Sequence, residues 1–134
     1  MECRARLVKL LADEASLEEI VQLVGMDALS APDRLKMEAA RSVREDFLHQ
    51  DSFHEIDTYT SLEKQFLMML LILSYYDEAL EALNRGVNIE ALVGLEVREK
   101  IGRYKYTVQD QIYEEYEKIL AELKAEVAKL EVED

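Results

Sequence analysis

The chain has 134 residues and a net charge of −13, with 49% apolar and 34% charged residues. The apolar content is high enough for folding, which excludes a disordered acidic tail. The chain has 29 acidic and 16 basic residues, and this excess of negative charge disfavours nucleic acid or an anionic membrane as a partner. The single cysteine, Cys3, cannot form an internal disulfide and suits a reducing cytosol, while four glycines and one proline predict one all-α domain of long helices.

The first 25 residues predict two helices. Residues 2–13 have leucines on one side and form the first of them. Ser16 precedes Glu19 by three positions, a capping box that predicts a new helix start, and Gly25 is suited to end that second helix. The apolar stripe of the second helix is predicted at Leu17, Ile20, Val21 and Val24.

The stretch GMDALSAPDRL, residues 25–35, predicts the corner of a helical hairpin. Ser30 is a good N-cap, Pro32 fits a first helical turn, and Asp33 favours the positive end of the helix. A third helix is predicted over residues 31–49. Its buried stripe is expected at Leu35, Ala39, Val43 and Phe47.

Residues 50–60 lose the helical periodicity and predict a loop. Thr60 and Glu63 form another capping box, from which a long helix is expected to continue to Arg85 and to stop at Gly86. Its most hydrophobic part, FLMMLLILSYY at residues 66–76, is too short to span a bilayer and predicts the buried centre of a core helix.

The last third of the chain predicts two short helices and one long one. Asn88 is placed to cap a helix over residues 89–93, Gly94 interrupts, and a second short helix reaches residue 103 before the connector GRYKYT. A long amphipathic helix is predicted from residue 108 to residue 131. The residues expected to face inward are Ile112, Tyr116, Ile119, Leu123, Val127 and Leu130.

Motifs for common chemistry are missing from the sequence. It contains no GxxxxGK[ST] phosphate loop, GxGxxG, CxxC or HExxH. His49 and His54 lie near several acids, and Asp46 and His49 have the i, i+3 spacing used in di-metal bundles. Such a site also needs carboxylates inside other helices, where this chain is apolar. A polar helix end is the structural alternative.

Four aromatic residues surround the predicted loop. Phe47 and Phe66 fall on helix stripes and are expected in the core. Phe53 and Tyr59 lie where the periodicity lapses. They either anchor the loop to the core or present a flat face to a ligand ring.

The segments IVQLVG, REDFL and FHEIDTY occur in order within residues 16–69. In this region the chain resembles the C-terminal helical domain of the catalytic A subunit of archaeal and vacuolar-type rotary ATPases. It is similar, more distantly, to the beta subunit of the bacterial and mitochondrial enzymes. The resemblance implies that residues 1–134 form one all-helical C-terminal domain of a larger nucleotide-binding subunit. The barrel and P-loop domains expected upstream are not in this sequence. The implied fold is a helical bundle with a protruding helix-turn-helix hairpin and a long C-terminal amphipathic helix.

The resemblance also implies a function. The domain would couple ATP synthesis or hydrolysis to rotation of a central stalk in a proton- or sodium-translocating ATPase. Its rotor-contact segment would consist of Asp27, Ala28, Leu29, Ser30, Ala31 and Asp33. Phe53 and Tyr59 would pack against the adenine ring of the nucleotide.

Cofactors and partners follow from the same resemblance. ATP or ADP with Mg is expected in the full-length subunit, with no tightly bound cofactor in these 134 residues, which should be inactive alone. The implied partners are the B subunits and the central-stalk subunit, with no nucleic acid and no direct membrane insertion. The implied location is the cytoplasmic soluble head, peripheral to the membrane. Two alternatives are a stand-alone helical protein–protein interaction module and a metal-dependent helical enzyme using His49 and His54.

Overall fold

The computed structural model describes residues 2–48 and 62–130, and its described parts are helical without a strand. The all-α prediction is therefore confirmed. The helices in chain order are α1 (Glu2–Val24), α2 (Ala31–Ser42), α3 (Leu62–Asn84), α4 (Ile89–Val93), α5 (Val97–Arg103) and α6 (Ile112–Lys129).

Helix α1 is continuous, so the predicted break and capping box at Ser16 were wrong. Ser16 is exposed in the middle of the helix. The buried residues Leu7, Leu10 and Leu17 form one stripe that runs past this position. Continuing the helix keeps that stripe on a single face, whereas a break would expose backbone groups of two helix ends. No glycine or proline interrupts the chain before Gly25.

The predicted third helix is α2 followed directly by a π-helical stretch, Val43–Leu48. Leu35, Ala39 and Val43 are fully buried, as their spacing predicted. The side chain of Phe47 lies outside the described residues. A π-helical turn has one more residue than an α-helical turn, so it rotates the following side chains relative to an α-helical continuation.

Helix α3 forms the centre of the core. Most of residues 66–76 are buried, as predicted, because neighbours pack on several sides of this helix. Phe66 is the exception: it is 46% exposed, so the prediction that it belongs to the core was wrong. Thr60, the predicted cap of this helix, lies outside the described residues.

The connections after α3 follow the sequence signals closely. Gly86 has a φ of 100°, which suits glycine, at the point where the helix ends. The side chain of Asn88 accepts a hydrogen bond from the backbone N–H of Glu90 at 2.7 Å, capping α4. In the connector, Tyr104 is buried and its hydroxyl donates to the carbonyl of Ile112 at 2.6 Å.

Helix α6 covers α3 with the predicted face. It begins at Ile112 rather than residue 108, after a 3-10 turn over Gln109–Gln111. Val108 is exposed and lies before that turn. The buried positions of α6 are Ile112, Ile119, Leu123 and Val127, and Tyr116 and Leu130 are partly buried against the core. Within the described helices, none combines the length and apolar content needed to cross a membrane.

Candidate functional site

Helices α1 and α2 form a hairpin, and its corner is the candidate functional site. Gly25 ends α1, and its N–H donates to the carbonyl of Val21 at 2.8 Å. Its φ is 90°, a conformation that residues with a side chain rarely adopt. A Cβ atom placed on Gly25 would meet nothing within 4 Å. Backbone conformation, not space, therefore favours glycine at this position.

A 3-10 turn over Met26–Ala28 leads from Gly25 to the cap of α2. The hydroxyl oxygen of Ser30 accepts a hydrogen bond from the N–H of Asp33 at 3.2 Å, and Pro32 lies in the first turn of the helix. Both features match the sequence prediction. Both helix ends are capped locally, and these caps favour a defined shape of the corner.

The structure brings the six predicted contact residues together in this corner. Asp27, Ala28 and Ser30 are exposed, and Leu29, Ala31 and Asp33 are half-buried. Their assignment to rotor contact stays a prediction.

Four apolar side chains around the corner were missed as candidate site residues. Leu23 is 84% and Val24 64% exposed, and Ile20 and Met26 are exposed beside them. Ile20 and Val24 were predicted on the apolar stripe of the second helix, and both are exposed because the described residues do not cover that face at the end of α1. The i, i+3, i+4 spacing of Ile20, Leu23 and Val24 marks one helix face. We call Ile20, Leu23, Val24 and Met26 the tip patch.

Ion pairs join the two arms of the hairpin behind the tip. Arg44 binds Glu14 through two nitrogens, the shorter contact being 2.6 Å, and Lys36 lies 3.7 Å from Asp13. The hydrogen bond that Arg44 donates to Glu14 raises the pKa of its guanidinium. These pairs lie at the surface, so each contributes at most about 1 kcal/mol to stability.

A further pair ties the hairpin to the bundle. Arg34, in the first turn of α2, forms an ion pair with Glu90 of α4. This hydrogen bond raises the pKa of Arg34 and lowers the pKa of the Glu90 carboxyl, so the pair stays charged at neutral pH. Because α4 follows the C-terminal end of α3, the corner lies toward that end of the bundle.

A second group of exposed apolar residues lies at the other end of α3. Leu62, Phe66, Val108 and Tyr113 are all exposed there, and we call them the base patch. The hydroxyl of Tyr113 donates to Glu63 at 2.6 Å, which joins the start of α6 to the start of α3. With a rise of 1.5 Å per residue, the 23 residues of α3 span about 34 Å between its ends.

The aromatic residues predicted at the adenine ring and the histidines considered as metal ligands lie in a part of the chain that the structure does not describe. Phe53 and Tyr59, expected at an adenine ring, and His49 and His54, considered as metal ligands, all lie outside the described residues. In residues 2–48 and 62–130, no group of three potential ligands is placed to hold a metal ion.

Known proteins resemble this chain over most of its length. Residues 1–93 match the family described as the C-terminal domain of V and A type ATP synthase. The V-type ATP synthase alpha chain of Acetivibrio thermocellus is 54% identical over 127 residues, which cover 95% of this chain and 22% of the relative. The alpha chain of Clostridioides difficile strain 630 gives the same identity and coverage. That of Clostridium botulinum strain Okra is 54% identical over 126 residues, which cover 90% of this chain and 21% of the relative. The chain thus spans about a fifth of the length of these curated relatives.

Proposed function

Because the chain belongs to the family of C-terminal domains of V and A type ATP synthases, we propose that it transmits force within a rotary ATP synthase. In this proposal it is part of the catalytic alpha chain and couples ATP synthesis or hydrolysis to rotation of the central stalk. The observation that carries the proposal is the hairpin, with a capped corner and exposed apolar side chains at its end.

The tip patch is the surface that we assign to the central-stalk subunit. A solvent-exposed group of large apolar side chains is unfavourable unless a partner covers it, and such patches commonly mark interaction sites. Asp27, which is exposed, directly follows Met26 of the patch in sequence. Apolar contact supplies no directional bond that would hold the rotor at one angle, so it is compatible with repeated sliding and pushing.

Force applied at the tip reaches the bundle through packed side chains. Leu17 of α1 and Leu35 of α2 are buried behind the tip, and the Arg34–Glu90 pair joins α2 to α4. Packed protein interiors have low compressibility and transmit strain. A push on the corner would therefore move α2 and the bundle together, rather than bend α2 away from the bundle.

The base patch is assigned to the nucleotide-binding part of the alpha chain. It lies about 34 Å from the tip end of the bundle, as measured along α3. Closing and opening of a nucleotide site at the base would then displace the tip at the other end. Phe53 and Tyr59 precede the base patch in sequence, and the proposal places them at the adenine of ATP or ADP bound with Mg.

The remaining proposed partners are the other subunits of a complete ATP synthase. The alpha chains would alternate with B subunits in the soluble head on the cytoplasmic face of the membrane, with protons or sodium ions as the coupling ion. The 134 residues have no phosphate loop, so we expect no ATP hydrolysis by the purified chain. Measurable turnover by this chain alone would contradict that expectation.

Two valines of α1 provide a matched test of the tip contact. Val24 in the tip patch is 64% exposed, and Val8 on the same helix is 59% exposed. Each is changed to serine in a complete V-type ATP synthase that carries this domain. We expect Val24→Ser to lower the torque of ATP-driven rotation, measured on single molecules, and Val8→Ser to leave it unchanged. Equal torque in both variants and the parent enzyme would reject the tip contact.

A further inference from the structure

Arg98 lies between the hairpin and the short helices of the bundle. One terminal nitrogen donates to Glu38 Oε1 at 2.8 Å and to the carbonyl of Val93 at 3.1 Å. The other donates to the carbonyl of Glu38 at 3.2 Å and to Ser42 Oγ at 3.1 Å. The Arg98 side chain is only 12% exposed. Its guanidinium thus binds α2 on one side and the end of α4 on the other.

A tyrosine of α3 completes this arrangement. The Arg98 guanidinium lies over the ring of Tyr75, 4.9 Å from its centre, within the range of a cation–π interaction. The Tyr75 hydroxyl donates to the carbonyl of Leu92 at 3.0 Å. Burial raises the pKa of Tyr75 to about 12, so the hydroxyl remains a donor at physiological pH. Side chains and carbonyls of α2, α3, α4 and α5 therefore meet around one arginine.

Stability alone does not explain a charged group at this place. Replacing a buried ion pair with apolar residues of similar volume is often neutral or stabilising. Nε of Arg98 is also buried, and no partner for it is found in the described residues, which adds a cost. The guanidinium provides directional hydrogen bonds, because its planar set of donors fixes the positions of the groups that it binds. Apolar packing between α2 and α3 favours certain crossing angles with a scatter of about 15–20°, so it constrains their relative angle less tightly than these directional hydrogen bonds do.

We propose that Arg98 is a positioning residue that fixes the angle of the hairpin relative to the bundle. This inference rests on the proposed function for its consequence: the angle decides where the tip patch meets its partner. The angle itself is a property of this chain and is measurable without any partner.

Two spin labels on the 134-residue chain measure that angle. One label is attached at Asp27→Cys on the exposed corner and one at Lys118→Cys on the exposed side of α6, in a Cys3→Ser background. Pulsed electron paramagnetic resonance then gives the distribution of distances between them. We expect a single narrow peak when Arg98 is present, and loss of that peak in Arg98→Met and in Arg98→Lys. Lysine keeps the charge but has one nitrogen with three N–H donors, whereas Arg98 donates four hydrogen bonds from two nitrogens held in one plane.

The control is Arg103→Met on the same helix, where the side chain is largely exposed. It should leave the narrow peak in place. A narrow, unshifted peak in folded Arg98→Met or Arg98→Lys overturns the proposal, whatever the melting temperature, because a stabilising role alone would leave the native distance unchanged. If Arg98→Met does not fold, Arg98→Lys decides. Equal broadening in Arg103→Met also overturns it. Since no other subunit is present, failure of the rotor contact would not affect this measurement.

Discussion

Two leucines of the hairpin give a sharp prediction, because one is buried and the other is exposed. Leu35 in α2 has 0% of its surface exposed, and Leu23 at the end of α1 has 84%. Replacing Leu35 with alanine removes buried methyl groups and leaves a cavity in the core, which costs about 3–4 kcal/mol of unfolding free energy. Replacing Leu23 with alanine removes no buried contact and should change that energy by less than about 0.5 kcal/mol.

Urea and thermal denaturation of the isolated chain measure both values. Domains of this size have an unfolding free energy of about 5–15 kcal/mol, so Leu35→Ala should remain folded at 25 °C. Its melting temperature should fall by about 10 °C, whereas Leu23→Ala should melt within about 2 °C of the parent. The urea m-value should be the same in all three proteins if the unfolded states are alike.

Two results would refute the reasoning. A loss below about 1 kcal/mol for Leu35→Ala would mean that α2 is not packed into the core as described. A loss for Leu23→Ala as large as that for Leu35→Ala would mean that the tip is covered by another part of the chain. In a complete ATP synthase, the proposed function predicts an effect on torque that stability does not show. Leu23→Ala should lower the torque although it leaves the domain stable.

Three further predictions follow from single contacts. Ser30→Ala removes the acceptor for the N–H of Asp33 and should cost about 1 kcal/mol in denaturation, whereas Ser30→Asp, which keeps a capping oxygen, should lose little. Tyr75→Phe removes the hydroxyl that donates to the carbonyl of Leu92 and should cost about 1–2 kcal/mol; an unchanged midpoint would contradict the contribution assigned to this hydrogen bond. Phe53→Ala in a complete alpha chain should weaken ATP binding by about 1–3 kcal/mol in calorimetry if the ring stacks on adenine, and unchanged affinity would reject the stacking role.

Local sequence signals predicted the helix ends well where a particular residue determines the backbone. Gly25 and Gly86 have positive φ values, and Ser30 and Asn88 accept the capping hydrogen bonds expected of them. The same kind of signal failed at Ser16. A capping box shows that a helix could begin there, but burial of Leu17 in line with the preceding leucines favours an uninterrupted helix.

Exposure at the hairpin end could not be predicted from the spacing of apolar residues. Ile20 and Val24 continue the pattern of a core helix, and periodicity says which side chains share a face but not what lies opposite. Among the elements that the structure describes, those that cover the earlier turns of α1 leave its last turns exposed. The apolar face was predictable, but its exposure among the described residues is a property of the tertiary structure.

Arg98 shows the same limit for polar residues. Its partners Glu38 and Ser42 are 60 and 56 residues away in sequence, and no local pattern connects a base on a short helix with an acid on a distant one. Only the packing of α2 against the bundle brings them together.

The relative strength of these contacts indicates which of them give the hairpin its stiffness. The pairs between its arms, Arg44–Glu14 and Lys36–Asp13, lie at the surface and are weakened by salt. Leu17 and Leu35 are buried, and salt does not screen their packing. Buried leucines therefore resist bending of the arms. Arg98, which is shielded from solvent, sets the angle of the hairpin relative to the bundle. A domain that carries force needs both properties, because a stiff arm at an undefined angle would not place its tip reproducibly.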